Sequence, residues 1–190
     1  MILKIFQTGD PVLRRFARPL SRDEILSEPI QELIVSMRDT MRDAPGVGLA
    51  APQVGMPFQI AVIEDTPENI AKLPPGQAKE RGREPVPFHV IVNPSIIIAP
   101  EAKWVRFFEG CLSVAGFSAL VPRALSVRVE CLNERAEPVT IEATGWHARI
   151  LQHEIDHLHG KLYIDSMKSE SFTTLDNFNR QTQRPAGAES

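Results

Sequence analysis

Apolar residues first recur at helical spacing at Ile30, Leu33, Ile34, Met37 and Met41, which predicts an amphipathic helix with Pro29 in its first turn and an end near Ala44-Pro45. Just ahead of it, Ser21-Arg22-Asp23-Glu24 has the form of a capping box. The run 58–64, FQIAVIE, is short, apolar and rich in β-branched residues, the pattern of a buried strand. The glycine-rich segment 46–55, GVGLAAPQVG, is therefore read as a helix-to-strand connector. Pro67, Pro74, Pro75, Pro85 and Pro87 stand among charges, and they predict a long surface loop over 65–87. Strand-like runs follow at 89–92, 95–99 and 104–108. Leu125, Val127, Val129 and Cys131 alternate with Ser126, Arg128 and Glu130, and 139–143 returns after Asn133-Glu134-Arg135, so the two runs form a hairpin with one buried face.

The segment 145–159 is helical, with Gly160 closing it. At about 100° per residue, Trp146, Ile150, His153 and His157 fall on one stripe, while Leu151, Ile155 and Leu158 lie opposite. A helix apolar on both sides belongs at the centre of the molecule. Phe172, Leu175 and Phe178 predict a last short helix, and RPAGAES a frayed tail. Runs of strands with helices segregated among them indicate an α+β fold with antiparallel or mixed sheets packed around that central helix.

With 190 residues, 43% of them hydrophobic and 24% charged, the chain is large enough to remove roughly 70% of its unfolded surface from water. A metal site here is then a functional feature and not a prop for a small core. A formal net charge of -3 argues against holding a polyphosphate chain by bulk electrostatics, so no direct nucleic-acid partner is expected. The start, MILKIFQTGDPVLRR, interrupts its apolar residues with Lys4, Gln7 and Gly9-Asp10-Pro11; neither a signal-peptide core nor a membrane span is read there, and the expected location is the cytoplasm. Two cysteines, Cys111 and Cys131, make no disulfide pattern and suit a reduced compartment.

The sharpest chemical signal is His153-Glu154-Ile155-Asp156-His157, an H-E-x-x-H run whose two imidazoles project from one helix face at a separation that one metal ion can bridge. A catalytic site needs a third protein ligand and an open position. Cys111, in Glu109-Gly110-Cys111-Leu112-Ser113, follows a strand where the chain turns. Cys131 lies in phase with a buried strand face and reads as a small core hydrophobe. His89, His147 and His159 read as bystanders. Two other readings stay open at this point: a zinc metallopeptidase on the same helix, with Glu170 as its third ligand, and a non-catalytic metal-binding module with a closed fourth position.

Three segments, GVGLAAPQ (46–53), EGCLS (109–113) and QHEIDH (152–157), in this order and at these separations, resemble the signature motifs of peptide deformylases. The resemblance runs from about Ile2 to Asp165 and leaves out the proline-rich loop and the C-terminal part, so it implies a catalytic domain over 1–168 and an extension over 169–190. It implies that Cys111, His153 and His157 hold one divalent ion, Fe2+ in the cell, with Zn2+, Ni2+ or Co2+ possible in purified protein. Glu154 would be the general acid/base, and Gln53 with the Leu112 backbone N–H would bind the formyl oxygen. Gly46, Gly48 and Gly110 would let an extended substrate pair with the backbone. Val47, Phe107, Trp146 and Ile150 would form a slot for the methionine side chain. Glu109 and Arg123 would meet behind Cys111. The implied substrates are nascent N-formylmethionyl polypeptides near the ribosome, with release of formate. The stretch GWHARILQHE (145–154) resembles the organellar-type branch of the family.

Overall fold

The capping box forms as its spacing requires. Ser21 Oγ accepts from the Glu24 N–H at 3.2 Å and the Glu24 carboxylate accepts from the Ser21 N–H at 2.8 Å, starting helix α1 (Arg22–Leu26). Helix α2 (Glu28–Asp43) follows with Ile30, Leu33, Ile34, Met37 and Met41 buried along one face. In this computed structural model residues 1–182 are described; the RPAGAES terminus lies outside them.

The glycine-rich segment is more than a connector. It contains strand β1 (Gly48–Ala50) and a 3-10 turn over Ala51–Val54 before strand β2 (Ile60–Asp65). Three strand residues are too few to show a periodicity, and β1 exists because it pairs with β2. The predicted 65–87 loop carries two short helices, α3 (Pro67–Ala71) and α4 (Gln77–Glu80). Next, β3 (Val86–Ile97) joins the two runs predicted at 89–92 and 95–99. A register shift separates them between Val92 and Ser95, where Asn93 adopts φ 50° and its carboxamide accepts from the Leu20 N–H and donates to the Leu20 carbonyl. Strand β4 (Trp104–Cys111) runs three residues past its predicted end into β5 (Val114–Ala124). Strand β5 went unread because Gly116 and Pro122 interrupt its pattern and its inward residues do not alternate. The predicted hairpin is β6 (Ser126–Leu132) and β7 (Pro138–Thr144). The central helix α5 (Gly145–Leu158) ends one residue early, with His159 as its cap. The described residues end with β8 (Thr173–Thr174) and α6 (Leu175–Thr182), so Phe172 precedes the helix predicted to contain it.

The strands form a five-stranded sheet, β1-β2-β3-β6-β7, and a three-stranded sheet, β4-β5-β8, with antiparallel neighbours throughout. Alternation along β2 explains the layering. Ala61 and Ile63 join the core around α5, with Ile150, Leu151 and Ile155, while Ile60 and Val62 join the core around α2, with Met37 and Met41. A third cluster, including Leu13, Val121, Leu162 and Tyr163, packs on the second sheet. Strands β1 and β4 are edges of their sheets, and a cavity of about 530 Å³ opens between them over α5. Among the described residues no helix is long and apolar enough to cross a membrane.

Candidate metal centre

Helix α5 presents His153 and His157, and the last residue of β4 is Cys111. One ligand atom from each lies within 4.8 Å of the other two, the one such cluster of His, Cys, Asp or Glu among the described residues. Cys111 Sγ is 3.3 Å from His157 Nε2. A thiolate and two imidazoles are a donor set that first-row divalent ions accept, and burial lowers the pKa of the His157 imidazole. Glu170, exposed in a 3-10 turn, is not part of the cluster, and among the described residues no fourth Cys or His closes it.

Glu109 organises the back of the site. Its Oε2 is 2.9 Å from His153 Nδ1, which leaves Nε2 facing the cluster, the arrangement by which an outer carboxylate sets the orientation of a ligating imidazole. Arg123 donates to both oxygens of Glu109 at 3.0 and 3.1 Å, and Arg149 donates to Oε1 at 2.6 Å. Burial alone would raise the Glu109 carboxyl; the His153 hydrogen bond and the Arg123 charge overcome it and hold the group well below the carboxylate range. The expected meeting of Glu109 with Arg123 is thus present in the structure. The sequence reading missed two members of this network. Arg149 is buried and bonds the Val105 and Val121 carbonyls as well, and Asp156 accepts from Arg123 Nη1. Both stand one helical turn from His153, at i−4 and i+3, and that spacing was the signal available.

Glu154 lines the same cavity, with its carboxyl under Gly48 of β1. A Cβ on Gly48 would come within 2.6 Å of Glu154 Cδ, so only glycine leaves this carboxyl its place. Its Oε2 is buried with no partner among the described residues, and burial raises its pKa to about 7. Gln53, in the 3-10 turn after β1, is buried. Its Oε1 accepts from the Ala50 N–H at 2.8 Å, so its amide N–H2 must face the other way, toward Ser113 Oγ at 3.1 Å and Cys111 Sγ at 3.5 Å. Leu112 occupies the β4–β5 turn with its carbonyl held by the Gln7 amide at 2.9 Å. Gly46, Val47, Gly48, Gly110, Trp146 and Ile150 all line the cavity. Phe107 packs against Trp146, at 6.3 Å between ring centroids, and beside Arg149, both residues of the cavity wall, and the adjacent Phe108 lines the cavity. His89 and His147 contact each other edge to face and His159 stacks on Phe16, all outside the cluster.

Comparison with known proteins gives this geometry its family. The profile described as Polypeptide deformylase matches residues 2–172. Peptide deformylase 1A, chloroplastic, of Solanum lycopersicum is 47% identical over 173 residues, which cover 91% of this chain and 62% of that one. Peptide deformylase, mitochondrial, of Homo sapiens is 44% identical over 172 residues, covering 90% and 70%. The chain thus spans less than two thirds of the length of the tomato relative. Among solved structures, a peptide deformylase from Legionella pneumophila superposes with a TM-score of 0.73 at 37% identity, covering 97% of this chain and 100% of that one. The Met-Ala-Ser-bound class I type b peptide deformylase of Acinetobacter baumannii gives 0.77 at 31%, covering 88% and 99%. An α+β fold with a Cys-His-His cluster between two sheet edges, matched along almost its whole length by this profile, belongs to the polypeptide deformylase family.

Proposed function

We propose that the protein is a metal-dependent hydrolase that removes the formyl group from the N-terminal formylmethionine of newly made polypeptides. The carrying observation is the convergence of three things in one cavity: a three-donor cluster, the buried unpartnered carboxyl oxygen of Glu154, and the amide N–H2 of Gln53 turned toward Cys111. A divalent ion held by Cys111, His153 and His157 would supply a Lewis acid that lowers the pKa of water from 15.7 toward about 7. Glu154 takes the proton of the attacking water as oxygen adds to the formyl carbon, then delivers it to the leaving nitrogen as the C–N bond breaks, giving formate and a free methionyl amine. Gln53 Nε2 and the Leu112 N–H donate to the oxygen on which negative charge develops, a contribution whose loss costs roughly a hundredfold or more in rate.

Gly46, Gly48 and Gly110 border the cavity beside the edge strands β1 and β4, where an extended peptide can be added as a strand. Trp146 and Ile150 offer the apolar wall for the methionine side chain. The Met-Ala-Ser peptide in the Acinetobacter relative supports a methionyl peptide as the product. In this proposal 1–168 is the catalytic domain and 169–190 an extension, although Leu175 of the extension also lines the cavity. We assign the protein to the cytoplasm, near the ribosomes that supply its substrate. We assign Fe2+ as the ion in the cell on the family resemblance, since the donors accept Zn2+, Ni2+ and Co2+ as well.

The test is formate release from formyl-Met-Ala-Ser by protein purified without oxygen, with metal content measured on the same sample. Stoichiometric formate with no cleavage of peptide bonds is expected. Cleavage of internal peptide bonds, or no formate at any metal loading, overturns the reading; zinc as the sole metal in a fully active, air-stable sample overturns the iron assignment alone.

A further inference from the structure

The 65–87 insert carries two arginines to the cavity wall, Arg81 and Arg83, beside Arg149 of α5. Their guanidinium carbons sit 4.8, 5.3 and 5.6 Å from the Trp146 ring centroid. Two of these cations are neutralised within the protein. Arg83 pairs with the fully buried Asp65 at 2.7 and 3.0 Å, and Arg149 pairs with Glu109. Arg81, half-buried, has no carboxylate at ion-pair distance among the described residues.

The insert is held in place. Arg81 caps α4 with its N–H on the Gln77 carbonyl at 3.1 Å, and the Trp146 N–H donates to the Gly82 carbonyl at 3.1 Å. Gly82 and Gly145 both have positive φ, 55° and 61°, and a Cβ on Gly145 would collide with the Gly82 carbonyl. Two backbones touching without side chains fasten the insert to the first turn of α5, so Arg81 is stationed over Trp146.

A guanidinium stacked on an indole keeps its N–H donors in its own plane, free at the edge. Trp146 is a wall of the proposed methionine slot. In an extended peptide, alternate side chains point to the same side, about 6.6 Å apart along the strand. The third residue then leans to the same face as methionine, toward Arg81, and the second leans away. Building on the deformylase reading above, we propose that Arg81 is a specificity-determining residue that selects formylmethionyl peptides carrying Asp or Glu at the third position.

The test compares kcat/KM for formyl-Met-Ala-Glu-Ser, formyl-Met-Ala-Gln-Ser and formyl-Met-Glu-Ala-Ser. The first is expected to exceed the second by about threefold to tenfold, as for a partly exposed charge-assisted contact, through KM and more strongly at low salt than at high. The third peptide gains nothing. In Arg81→Gln the Glu-to-Gln ratio falls to about one, and because the readout is a ratio, any change in absolute rate cancels. Arg81→Glu reverses the order in favour of Lys at the third position. Equal values for the first two peptides in the wild-type protein, or a preference that survives Arg81→Gln, overturns the proposal while leaving the deformylase reading intact. If no peptide releases formate, that reading fails instead, and calorimetry with Met-Ala-Glu-Ser against Met-Ala-Gln-Ser still decides the role of Arg81.

Discussion

Glu154 and Gly48 pack as one unit from two distant parts of the chain. The carboxyl is buried, one of its oxygens has no partner, and a Cβ at position 48 would invade its place. Glu154→Gln keeps size and polarity but cannot accept a proton. It is expected to retain metal and melting temperature while kcat falls by about 10²–10⁴, whereas Cys111→Ala loses the metal. Metal analysis and formate assays of the two variants decide it, and equal metal loss in both would remove Glu154 from proton transfer. Gly48→Ala is expected to push the Glu154 carboxyl aside. Its stability cost should be about 1–3 kcal/mol, and its turnover should drop toward that of Glu154→Gln; wild-type kcat in this variant would show that the close approach has no bearing on the chemistry.

At the scale of elements, the β4–β5 hairpin and helix α5 meet through buried charge. Arg123 on β5 holds Glu109 on β4 and Asp156 on α5, while Arg149 ties α5 to carbonyls on both strands. These contacts fix Cys111 relative to His153 and His157. Arg123→Met leaves the Glu109 carboxylate buried with fewer donors, a change that costs about 3–5 kcal/mol when a buried pair is broken, and toward the lower figure here because Arg149 still faces Glu109. Metal affinity is expected to fall about 10–100-fold as His153 loses its orienting partner geometry. Thermal melting and competitive metal titration separate the two effects; a lowered melting temperature with unchanged affinity would make the network a structural brace with no bearing on the metal.

At the scale of the whole molecule, the seam between the five-stranded sheet and α5 contains His89 and His147, with ring centroids 5.3 Å apart and both Nε2 atoms buried without partners. Burial first, and the neighbouring His89 second, lowers His147 from 6.5 to about 4; burial lowers His89 too, against a hydrogen bond to the Pro87 carbonyl. The unfolded chain therefore binds protons that the folded protein refuses. Stability is full above the unfolded value of 6.5 and declines as pH falls toward about 4, below which His147 takes nothing further away. Allowing for partial exposure, the His147 share is about 1–2 kcal/mol. His89→Gln/His147→Gln is expected to flatten this part of the curve, measured by denaturant unfolding at several pH values. A slope equal to wild type would assign the acid sensitivity to other groups.

Much of this was legible in the chain. The helical stripes of α2 and α5, the Ser21 capping box and the β6–β7 hairpin depend on contacts a few residues apart, and period and capping chemistry are written locally. The two histidines and Glu154 were readable for the same reason, because one helix turn sets their spacing. Other features were decided by partners far along the chain. Strand β1 exists through pairing with β2, β5 through pairing with β4 and β8, and the two predicted runs within β3 are one strand because β2 pairs along the first, β6 along the second, and both meet at Val92. The contact of Phe107 with Trp146 of α5 depends on the pleat of β4, which its register with β5 sets. The roles of Arg149, Asp156 and Arg81 likewise rest on charges and rings brought near only when sheets and helix close on one another. Local spacing determined which residues could do chemistry; long-range burial, which excludes water and obliges each charge to find a partner, decided how they are arranged.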